Sequence, residues 1–159
     1  MENREIALKL VLDAIGEATS ISNVADRLRL QKSVYLAQEM GIPLGYGYSW
    51  YVKGPYSPAL TQDYYNLNAS LAAGDDATND QKLHPELVER AEIVKRLLAN
   101  PLDANRKPDW FEALCSLHFL MRTSRHDFVA AREKMRKLKP HLDDIVDQAH
   151  ERLREFQLI

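Results

Sequence analysis

The sequence predicts a mainly α domain with a small β hairpin. Two observations carry that prediction. Apolar residues recur at helical spacing in several separate segments. One short stretch, Tyr48 to Val52, alternates instead with a period of two and is bracketed by Gly and Pro. Composition agrees: hydrophobic residues make up 45% and charged residues 28% of 159, an ordinary globular balance. That length suits one domain, 1–159. Within it, two halves, 1–100 and 108–159, would meet at a loop over 100–107.

Residues 3–16 open the chain as a helix, with Ile6, Leu10, Val11, Ala14 and Ile15 in one stripe and Gly16 near its end. The second helix spans 23–40, capped by Ser22 or Asn23 and ended by Gly41. It is apolar over much of its circumference, which predicts a central position. Tyr48, Trp50 and Val52 then read as a strand, pairing with Leu44–Tyr46 or with a segment near Thr78–Leu83. Lys53-Gly54-Pro55-Tyr56 reads as a tight turn into a third helix. Ser57 is its N-cap, Pro58 its first residue, and Leu60, Tyr64, Leu67 and Leu71 its core stripe. Residues 74–82 are polar and read as a connection, or as the tip of a hairpin or wing.

Pro85 opens a fourth helix to about Ala99. Pro108 opens another, carrying Trp110, Leu114, Leu117 and Met121. Ser124 or Asp127 begins the next, which Pro140 breaks. The last runs over about 141–156, with Asp143 and Asp144 in its first turn.

Several function classes have no support in the sequence. The histidines lack metal spacing, the only cysteine is Cys115, and no Gly-rich phosphate loop occurs, so neither metal nor cofactor is expected. A catalytic thiol would need an oriented base, and Cys115 with His118 at i, i+3 on an apolar helix reads as packing. No apolar run is long enough to span a membrane and the N-terminus is charged, which predicts a cytoplasmic protein.

Two surfaces remain. Tyr46, Tyr48, Trp50, Tyr51 and Tyr56 crowd eleven residues, and strand alternation sends some of them outward, where exposed rings suit a protein partner. Residues 122–139 carry seven cations, among them Arg122, Arg125, Arg132, Arg136 and Lys137, against two carboxylates. They read as a solvated face or as a nucleic-acid contact, although the net charge of −2 opposes the latter.

Leu30-Gln31-Lys32-Ser33-Val34-Tyr35-Leu36, followed by Tyr51-Val52-Lys53-Gly54-Pro55-Tyr56-Ser57-Pro58-Ala59-Leu60, resembles the L-Q-K-x-x-Y … G-P-Y-S-x-x-L pattern of bacterial YwgA-like proteins. These are distantly similar to the SocA-like Panacea antitoxin domain. The region from Trp110 to Leu120, with Lys139-Pro140 and the closing helix, resembles the same plan. The resemblance implies a compact helical domain related to winged helices, and an antitoxin-like protein that binds a protein partner such as a toxin. It marks Gln31, Lys32, Tyr35, Gly54, Pro55, Tyr56 and Ser57 as the shared motif; with Trp50 and Lys53 these make the expected recognition surface. The alternative is a winged-helix DNA-binding regulator, with Lys53 or the 74–82 loop as its wing. A homo-oligomer stays open as well.

Overall fold

The computed structural model describes residues 1–159 and contains seven helices and one hairpin. In chain order these are α1 (Asn3–Ile15), α2 (Val24–Glu39), β1 (Ser49–Tyr51), β2 (Gly54–Tyr56), α3 (Pro58–Ala72), α4 (Pro85–Leu98), α5 (Lys107–Arg122), α6 (Phe128–Leu138) and α7 (Val146–Glu155).

Helix α5 is the axis. Every residue from Trp110 to Leu120 is buried, polar Glu112, Ser116 and His118 included. A helix buried on all sides must be surrounded by partners, and α2, α6, α7 and β2 pack around this one. Helix α2 is the second inner element, buried without a break from Leu30 to Ala37. Helices α1, α3 and α4 close the opposite side through α1. One buried cluster therefore takes side chains from both sides of 100–107: Leu8 and Leu12 of α1, Val34 of α2, Leu67 of α3, Leu97 of α4, Leu114 of α5 and Leu153 of α7.

Local signals explain most helix ends. The Asn23 side chain accepts from Asp26 N–H at 2.8 Å, Ser57 from Leu60 N–H at 3.3 Å and Asp127 from Ala130 N–H at 2.8 Å. Asn23 and Asp127 are thus the caps where two candidates stood.

The structure corrects the strand pairing. Strand β1 pairs with neither 44–46 nor 78–83 but with β2, antiparallel, matching Ser49 with Tyr56, Trp50 with Pro55 and Tyr51 with Gly54. Gly54-Pro55-Tyr56 is itself a strand, and the turn is Val52-Lys53. A two-residue turn is the shortest closure available, so it outcompetes pairing with a remote segment. Pro55 is tolerated because both strands of a two-stranded sheet are edges. Residues 74–82 form neither hairpin nor wing: Asp76 folds the loop on itself by accepting from Thr78 N–H at 2.9 Å. The closing helix is shorter than the sequence suggests. Pro140–Leu142 is one 3₁₀ turn, and Asp143 and Asp144 precede α7 rather than sit in its first turn. They are held instead by Arg136 and Arg106.

Candidate binding site around the hairpin

The motif that links α2 to the hairpin is an internal latch. Gln31, 1% exposed, accepts from Ser57 N–H at 2.8 Å and donates to Ser57 C=O at 2.9 Å. Its amide thus pairs with one backbone unit as a neighbouring strand would, and it also donates to Thr61 Oγ1 at 3.0 Å. One turn on, the Tyr35 hydroxyl meets His118 Nδ1 at 2.7 Å. Gly54 lies against α5, where a Cβ would stand 2.7 Å from Ser116 Oγ.

The expected recognition surface is corrected accordingly. Gln31, Tyr35, Gly54, Pro55 and Ser57 are buried within the fold, and Lys32, also buried, faces a cavity rather than the outer surface. Trp50 is half-buried, 5.7 Å from the Phe119 ring, with the Lys139 ammonium 5.6 Å from its centroid. Tyr56 is half-buried beside Thr61. Tyr46 also turns inward and donates to Asp63 at 2.7 Å. Of the crowded rings, only Tyr51 is exposed; with Val52, 88% exposed, and Lys53 it forms the hairpin tip.

That tip is tied down by residues outside the expected recognition surface. Lys139, 2% exposed, donates to Val52 C=O at 2.8 Å and to Glu112 Oε2 at 3.2 Å. Glu112 also meets His141 Nε2 at 3.3 Å. A carboxylate and an ammonium inside a protein need each other to offset their lost hydration. Their separation in sequence left no local signal. The one available hint was Glu112 in the middle of an otherwise apolar helix.

Beside this triad, α2 and α5 diverge and leave a cavity of about 490 Å³. The first turn of α2 and the start of α5 form its mouth, and Lys53 reaches it from the hairpin turn. Lys32 lines the interior. The residue is 3% exposed and its ammonium makes no hydrogen bond or ion pair; burial lowers its pKa, the strongest influence on it.

Two buried groups on α5 have their chemistry set by desolvation. Cys115 is fully buried and donates to Lys32 C=O at 3.4 Å; burial pushes its pKa up and keeps it a thiol. His118 is held at a pKa of about 4, by burial first and then by the Arg122 guanidinium. The Tyr35 hydroxyl, its own pKa pushed up by burial, shares a hydrogen bond with the neutral ring. Glu39, 4.0 Å from Nε2, is half-exposed and does not reverse the shift.

A pH dependence follows. The unfolded chain takes a proton on this histidine from about pH 6.5 downward, the folded chain only near 4. The contribution is complete above 6.5 and is lost as pH falls toward 4; the loss at pH 5 is about 2 kcal/mol. Denaturant titrations of wild type and His118→Gln at pH 7.5 and pH 5 measure it. The wild type should lose more stability on acidification than the variant; equal losses would refute the assignment.

The basic stretch is largely spent within the fold. Arg132 pairs with Asp147, Arg136 with Asp143 and Glu133, and Arg122 donates to Leu158 C=O at 2.8 Å. Arg125 and Lys137 are exposed and unpaired. Of the five cations expected at a nucleic-acid face, two are thus left without a partner, because the turn after α6 brings Asp143 and Asp147 opposite Arg136 and Arg132, a placement the linear sequence does not show. No helix is long and apolar enough to cross a membrane, and no cluster of His, Cys, Asp or Glu could hold a metal ion. Comparisons with protein-family models, curated proteins and solved structures return no match to this chain.

Proposed function

We propose that this chain is a non-enzymatic, cytoplasmic protein-binding module, antitoxin-like or a regulatory component of a bacterial toxin–antitoxin or defence system. The observation that carries the reading is the hairpin tip. Tyr51 and Val52 present apolar surface to solvent at 49% and 88% exposure, on a turn anchored from inside by Lys139. An exposed apolar side chain on a rigid turn loses little entropy when a partner covers it, which suits an anchor residue at an interface. The resemblance of the Leu30–Leu36 and Tyr51–Leu60 segments to YwgA-like and Panacea sequences supports the same class.

The test is affinity capture from the native host with wild type and with Val52→Glu as matched baits. Val52 touches little of the core, so the variant should melt within about 0.5 kcal/mol of wild type. The expected result is a partner encoded beside this gene, bound by wild type and lost from the variant. A wild-type protein that is monomeric and partnerless, with no toxin-like neighbour, overturns the reading.

A further inference from the structure

The cavity between α2 and α5 holds an unpaired, buried lysine that the latch, the triad and the hairpin tip leave unused. The geometry points to a binding site there for a small organic anion, a carboxylate or phosphate monoester on a ring-sized apolar body, with Lys32 as its counter-ion.

The inference starts from what surrounds the ammonium. Its residue is 97% removed from water, yet no acceptor lies within hydrogen-bond distance. Buried charges are ordinarily paired, because an isolated one forfeits its hydration without return. The nearest candidate, Glu112, already serves Lys139 and His141 and does not close on Lys32. Of the other carboxylates at the cavity, Asp109 pairs with Arg106, and Asp26 at the rim accepts from the Ser20 hydroxyl; neither pairs with Lys32. The protein thus supplies a cation inside a cavity and withholds the anion.

A second feature points the same way. The first turn of the 16-residue helix α2 forms part of the wall. The Val24 and Ala25 N–H groups have no acceptor, since Asn23 reaches only Asp26. Free N–H groups at a helix start favour an anion, both as donors and through the helix dipole. At the mouth, Lys53 is the second cation without a partner, whereas Arg29 and Lys107 both pair with Glu17. A ligand entering past Lys53 therefore meets a cation without a partner at the rim, beside the Asp26 carboxylate, and a second one in Lys32.

The remaining walls are apolar. Leu28 and Phe111 face the space, and Val24, 61% exposed, stands at its edge. A bare inorganic anion would leave those surfaces wet. An aromatic or branched body would cover them and seal the ion pair from solvent, which strengthens it. The volume of about 490 Å³ accommodates one ring with its charged group. The inference is independent of whether the hairpin tip binds a protein.

The test is ligand-observed and protein-observed NMR on the intact chain with benzoate, phenyl phosphate, inorganic phosphate and uncharged benzamide, all at millimolar concentration. The expected result is that benzoate or phenyl phosphate shifts resonances of Val24, Ala25, Leu28 and Phe111. Benzamide and inorganic phosphate should bind at least about tenfold more weakly. Lys32→Met, which removes a buried unpaired charge, should melt no lower than wild type and lose binding at least about tenfold. Lys53→Met, at an exposed position, provides a second variant certain to test the rim and should weaken binding by a smaller factor. The proposal is overturned if neither ring-bearing anion shifts those resonances, if benzamide binds equally well, or if Lys32→Met binds as wild type does.

Discussion

Glu112→Ala should destabilise the protein by about 3–5 kcal/mol, enough to lower the melting temperature by roughly 10 °C or more. The loss is large because of what remains behind. Lys139 is 2% exposed and its ammonium depends on Glu112 as its only carboxylate. Without that carboxylate a charge stays buried and uncompensated. His141 loses its partner as well. Lys139→Met removes the opposite charge and also frees Val52 C=O. That carbonyl belongs to an exposed turn residue, and water can replace the lost donor. The double variant Glu112→Leu with Lys139→Met should therefore recover most of the loss, since an apolar pair of similar volume carries no desolvation cost. Thermal or denaturant melts of wild type, Glu112→Leu, Lys139→Met and the double variant form a double-mutant cycle. A double variant as unstable as Glu112→Ala would mean that the ion pair is not the source of the effect. Amide exchange adds a local readout: Tyr51 to Gly54 should exchange faster in Lys139→Met than in wild type, because the turn has lost its tether.

Gly54→Val should cost about 2–4 kcal/mol, a drop of roughly 5–12 °C. Two causes add. Gly54 has φ +102°, a conformation that a β-branched residue adopts only with strain. Its missing Cβ is also the space that Ser116 Oγ occupies at 2.7 Å. The causes separate experimentally. Ser116 Oγ is buried and has no hydrogen-bond partner, so Ser116→Ala alone should be neutral or mildly stabilising. In that background Gly54→Ala should cost less than in wild type, because only the strain of φ remains. An identical cost in both backgrounds would show that the close approach contributes nothing. The position also has a consequence for the site. β2 reaches α5 only because Gly54 allows it, and that approach brings the hairpin turn within reach of Lys139.

The candidate site was legible in the sequence as a location but not as an arrangement. Gln31, Tyr35 and the Gly54–Ser57 segment do converge, but as an interior latch. An amide and a phenol at i, i+4 can face a partner protein or the chain's own backbone, and nothing local distinguishes the two. The crowded rings show the same ambiguity. Alternation along a strand states that faces differ, not which face the rest of the chain will cover. Here α5 covers Trp50, α2 covers Tyr48 through a bond to the Gln31 carbonyl, and only Tyr51 is left outside. The cations of α6 looked like a free face because their neutralising carboxylates belong to residues 143–147, whose position depends on how the chain turns at Pro140.

What the sequence determined by itself is the set of helices. Helical periodicity, side-chain caps at Asn23, Ser57 and Asp127, and glycines at helix ends act within a few residues, so they are written locally and survive in the fold. What only the tertiary structure decided is which polar groups become interior: the Glu112–Lys139–His141 triad, the neutral His118 and the unpaired Lys32. Those outcomes depend on desolvation and on partners 27 or more residues away, 83 in the case of Tyr35 with His118. Water is removed from a group only by the packing of the whole chain, and no window of sequence contains that event.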